Sequence, residues 1–145
     1  MRHRAALAAL CLALLCCGAR AQAPALSASD VWVRATPGSE VAAAYLTLHN
    51  GGPQPIVITG VRSARAAQAM IHESSVAGGH SRMRPRQRLR VGAGETLRLA
   101  PGGLHVMLQG LTRPLTPGEE VPLLLLLEGG ASLAVTAHVR ALGED

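Results

Sequence analysis

Ala44-Tyr45-Leu46-Thr47-Leu48-His49 sets Ala44, Leu46 and Leu48 on one side of an extended chain and Tyr45, Thr47 and His49 on the other. A period of two is the mark of a strand with one face in a core. Val135, Ala137 and Val139 alternate with Thr136, His138 and Arg140 in the same way. Between them lie short apolar or alternating runs: Ile56 to Val61, Gln68 to Glu73, Arg88 to Val91, Thr96 to Leu99, Leu104 to Leu108 and Val121 to Leu127. Gly-Gly, Pro-Gly and Gly-Ala-Gly punctuate these runs. Short strands at this spacing predict an all-β, antiparallel sandwich or barrel. Leu123 to Leu127 suits a helix as well as a strand by period alone, but Pro122 and Gly129-Gly130 beside it favour a strand, buried on both faces. No long amphipathic helix is evident.

The N-terminal stretch of the 145-residue chain reads differently. Arg2 and Arg4 precede an apolar run from Ala5 to Cys17, and Ala19-Arg20-Ala21 follows, the three-part pattern of a secretory signal peptide. The run is too short for a membrane span, which takes about 20 residues. Residues 1–21 are therefore expected to be removed, leaving 22–145 as one exported domain with no stable membrane insertion. Leu15 and Cys16 are poor residues to precede a lipid-modified cysteine, so no lipid anchor is expected at Cys16 or Cys17. All three cysteines (Cys11, Cys16, Cys17) lie in the removed segment, which excludes disulfides, thiol redox chemistry and a cysteinate blue-copper centre. The net charge falls from +5 to +2, eleven arginines against nine acids. With Trp32 and Tyr45 alone able to stack on a base, nucleic-acid binding loses its main support.

Four residues carry the chemistry: His72, Met83, His105 and Met107. A thioether is a soft, uncharged donor and imidazole accepts most first-row ions, so two of each favour Cu(I) over zinc, magnesium or calcium. His105 and Met107, two apart in a strand-like run, leave the same face of the pleat. His72 ends another such run, and Met83 follows the Gly78-Gly79 turn, where a loop is expected to bring it across the site. Ten residues separate His72 from Met83 and twenty-one separate Met83 from His105, so only a closed fold can assemble the four. Singly, each has a plainer role, a methionine as core filler and a histidine as a surface or hydrogen-bonded group.

The spacing His, ten residues, Met, twenty-one residues, His, one residue, Met resembles the PCu(A)C family of periplasmic copper chaperones. The likeness extends to Asp30-Val31-Trp32-Val33-Arg34-Ala35-Thr36-Pro37, Ala42-Ala43-Ala44-Tyr45-Leu46, Ile71-His72-Glu73, Met83-Arg84-Pro85, Pro101 to Leu108 and Gly110 to Leu115. It spans about residues 30–139. The resemblance implies a cupredoxin-like β-sandwich that binds one Cu(I) in the periplasm and delivers it to the CuA centre of cytochrome c oxidase subunit II alongside a Sco-type protein; a free monomer, a carrier rather than an enzyme, fits that job. Ser74, Ser81 and Gln109 stand where many relatives carry methionine, and the chain closes on Leu142-Gly143-Glu144-Asp145 without a His- and Met-rich tail, so a single copper site is expected. Copper storage or buffering, and a metal-free β-sandwich binding module, are the competing readings.

Other residues divide between surface and site. His80, close to Met83 on the same loop, is read as a solvated histidine before an extra donor, and Met70 alternates with His72 and suits either the site or the packing beneath it. His49 and His138 fall on outward faces. Glu73 follows His72 directly and so points the other way. Arg82, Arg84, Arg86, Arg88 and Arg90 make one face of an extended segment positive, either as a solvated edge that resists strand pairing or as a patch that steers an acidic partner towards Met83. No Gly-x-Ser-x-Gly elbow or His-Glu-x-x-His helix supports hydrolytic chemistry.

Overall fold

A computed structural model describes residues 25–144. The expected signal peptide, 1–21, lies outside these residues. Ten strands account for the regular structure: β1 Leu26–Arg34, β2 Val41–Asn50, β3 Ile56–Arg62, β4 Ala66–Ala77, β5 His80–Pro85, β6 Leu89–Val91, β7 Thr96–Leu99, β8 Leu104–Leu111, β9 Glu120–Leu127 and β10 Ser132–Arg140. Among the described residues there is no helix, and hence none long and apolar enough to cross a membrane.

The strands run in the order β5-β4-β8-β2-β1-β10-β9-β3-β6, with β7 paired to β2. β2 offers one edge to β1 along its length, and its other edge first to β8 (through Val41–Ala44) and then to β7 (through Leu46–His49). β3 and β4, far apart in this order, are in contact, so the sheet folds over on itself as a sandwich. Its core is the alternating set expected from the sequence: Ala44, Leu46 and Leu48 of β2 with Ile71, Val106, Leu108, Leu123, Leu125, Ala137 and Val139, all buried.

Three features depart from the sequence reading. One strand pair, β1 with β10, is parallel. β1 itself escapes a period-two reading because its register on β2 shifts between Ser29 and Trp32. There Asp30 adopts φ 48°, a conformation Asp tolerates, and its carboxylate accepts a 3.0 Å hydrogen bond from Arg140. Finally, Leu123 to Leu127 is a strand but not one buried on both faces: Leu123 and Leu125 enter the core while Leu124 and Leu126 stay half-buried. A single layer lies against this strand, so alternation holds even through a run of one residue type.

Candidate metal centre

β4 and β8 pair antiparallel with His72 opposite His105 and Met70 opposite Met107. Directly opposed residues share a face, with Cβ atoms about 5 Å apart. The two imidazoles meet edge to face, ring centroids 5.9 Å apart. Met107 stands two rungs along from this pair, past Ile71–Val106, and so on the same face. On the far side of β4, β5 sets Met83 opposite Ser74, two residues beyond His72 and again on the same face. All four candidate ligands therefore project from one face of the β5-β4-β8 ladder, the face turned away from the core residues Ile71, Val106 and Leu108.

Met83 sits on a strand, not the expected loop. Gly78 (φ 60°) and Gly79 (φ 77°) form a two-residue turn closed by Ala77 and His80, the backbone signature of a type I′ hairpin. β5 has no apolar alternation because nothing packs over it; every residue is exposed. His80, opposite Ala77, falls on the reverse face and is removed from the candidate ligands by register. Met70 falls on the ligand face, opposite Met107. Glu73 points to the reverse face, as expected, and pairs with Arg86 at 2.5 Å. His49, bonded to Thr96 at 2.9 Å, and His138 are surface groups.

The two histidines are prepared differently. His105 is 4% exposed and its Nδ1 lies 3.0 Å from the Gly103 carbonyl. A carbonyl only accepts, so Nδ1 carries the proton and Nε2 keeps the lone pair a metal needs. His72 Nδ1 is buried without a hydrogen-bond partner, an arrangement that costs free energy until something occupies it. Burial, and then the repulsion it would meet from a protonated His105, hold the His72 imidazole below the ordinary histidine pKa and so favour the neutral form, the one that ligates. Among the described residues no three His, Cys, Asp or Glu cluster to hold a metal, so a metal here requires the thioethers. The donor set fits a soft monovalent ion.

Sequence reasoning left an aromatic wall beside this pair unassigned. Tyr45 packs 6.4 Å from His105 and 4.5 Å from Trp32, centroid to centroid. Arg34 lies over both rings and Arg140 caps Trp32 at 4.9 Å. Trp32 and Tyr45 are buried yet stand apart from the main core, on the outer face of β1 and β2. The two rings, themselves buried, cover that side of His105. The available signal was the alternation itself, which put Tyr45 on the face opposite Ala44 and Leu46.

A family described as "Putative lipoprotein LpqE-like" matches residues 26–139. The chain belongs to this family, the PCu(A)C proteins. As a PCu(A)C protein it is 34% identical over 120 residues to "Putative lipoprotein Lxx21020" of Leifsonia xyli subsp. xyli, covering 82% of this chain and 72% of that one. Its structure is similar to Cu(I)-bound DR1885 of Deinococcus radiodurans, at 36% identity and TM-score 0.63, over 86% of this chain and 83% of that one. The copper-bound PCuAC domain of PmoF2, at 22% identity and TM-score 0.67, shares the fold over 81% of this chain and 93% of that domain. The lipoprotein names of the relatives point to an exported protein. They also bring back the lipid-modified cysteine that the sequence reading set aside for Cys16 and Cys17, residues outside those described.

Proposed function

We propose that this PCu(A)C protein is a copper(I) carrier of the periplasm. His72, Met83, His105 and Met107 hold one Cu(I), and the ion passes to a cuproprotein, the CuA centre of cytochrome c oxidase subunit II, in concert with a Sco-type protein. The observation that carries this reading is the His72–His105 rung, with Met107 and Met83 on the same face to either side of it. The Cu(I)-bound relative DR1885 supports the choice of ion. Two neutral imidazoles and two thioethers contribute no negative charge. A recipient site with thiolates therefore draws the ion away downhill, and a carrier must release what it holds. The role is binding and transfer, not catalysis.

Titration with Cu(I) against a competing chelator, under reducing anaerobic conditions, tests the site. One tight equivalent is expected, with affinity lowered more than tenfold, about 1.4 kcal/mol, in a Met83→Ala, Met107→Ala variant. A folded protein that binds no copper tightly would return the chain to a metal-free module.

A further inference from the structure

The strand that carries Met83 has a free side. β5 ends the sheet order, and its outer edge has no strand neighbour among the described residues. Its hairpin bears Val76, 76% exposed, and Met83, 50% exposed, two of the large apolar side chains the surface leaves in water. Register sorts the side chains into two rows. Val76, Ser81 and Met83 lie on the ligand face; Glu73, Ser75, Arg82 and Arg84 lie on the reverse face.

The arginine run is therefore not one positive face. Arg90 belongs to β6 at the opposite end of the sheet order, Arg86 is taken by Glu73, and Arg88 by Glu128. Arg82 and Arg84 remain, with no acidic partner among the described residues. A basic edge guards against unwanted strand pairing, but a guard calls for neither an exposed valine nor a candidate copper ligand on the same hairpin. An open edge with two distinct rows of side chains is the template for strand addition.

We propose that the outer edge of β5 docks an extended acidic segment of the protein that exchanges copper with this one. Acidic side chains of the added strand meet Arg82 and Arg84 on one face, and the side chains between them, soft metal ligands, meet Met83 on the other. Pro85 lacks an N–H and ends the usable edge, so the contact runs over residues 80–84. A second copy of this chain is disfavoured by its own charge, since two such edges would set arginine against arginine. The inference rests on the copper-carrier reading and names the kind of partner that reading requires.

The test uses the apo protein and a peptide, acetyl-Glu-Met-Glu-Met-Glu-amide, followed by backbone amide NMR. Shifts and slowed hydrogen exchange are expected over residues 80–84. An Arg82→Gln, Arg84→Gln variant, whose unchanged spectrum elsewhere certifies its fold, should bind about threefold to tenfold more weakly, with the difference fading in added salt. A peptide of the same composition with its alternation broken should bind more weakly still. Equal affinity for that peptide, shifts centred elsewhere, or no binding at millimolar peptide overturns the proposal. Because the apo protein is used, docking at β5 without a tight Cu(I) site would overturn the carrier reading alone. Copper binding without docking would overturn this inference alone.

Discussion

At the scale of single residues, the histidine pair sets how the site answers to protons. Burial first, and repulsion from a protonated His105 second, depress the His72 pKa in the folded protein. An unfolded histidine takes up its proton near pH 6.5, whereas folded His72 resists until lower pH, so the unfolded state binds more protons across that window. The apo protein is thus expected to lose stability as pH falls below about 6.5, and His72→Gln to reduce that loss, read from urea unfolding at pH 7.5 and 5.5. Equal losses in both proteins would show that His72 is not the group responsible. The identity of the candidate ligands was legible in the sequence, because donor type is a property of each residue. Which nitrogen of His105 is free was not, since the Gly103 carbonyl fixes it through a loop that only the fold positions.

Among the elements, the β4–β5 hairpin decides whether Met83 reaches the other three. Gly79 sits at φ 77° with open space where a Cβ would go, so substitution there meets a conformational cost and no clash. Gly79→Val should cost about 1–2 kcal/mol, speed hydrogen exchange of the β5 amides and weaken Cu(I) binding, while Gly79→Asn, tolerated at positive φ, should restore most of each. A valine variant with unchanged β5 exchange would remove the turn from the account of the site. The sequence marked this turn through Gly78-Gly79, yet the strand after it was hidden. His80 to Pro85 buries nothing, and burial is what writes a period of two into a sequence. β1 was obscured for another reason: its bulge at Asp30 breaks the alternation halfway along.

For the molecule as a whole, the outer face that carries the candidate ligands depends on a sandwich held together elsewhere. Asn50, fully buried at the far end of β2 from the Ala43–Met107 pairing, donates from Nδ2 to the Gln54 and Gly92 carbonyls at 2.8 and 2.9 Å. Its Oδ1 accepts from the Gly52 amide at 3.0 Å. Asn50→Ala leaves these groups without a partner and should cost about 2–3 kcal/mol in urea unfolding, with Cu(I) affinity of the folded protein unchanged. A loss of affinity matching the loss of stability would mean that the two ends of β2 are coupled.

The sequence by itself determined the fold class, the core side of most strands and which side chains are candidate donors, since alternation and donor chemistry are local properties of the chain. The tertiary structure alone decided the parallel joining of β1 to β10, the placing of His72 opposite His105, and the division of the arginines between two ends of the sheet. It also set Tyr45 and Trp32 beside His105. Each of these depends on which strands become neighbours, and pairing between segments distant in the chain leaves no period in either of them.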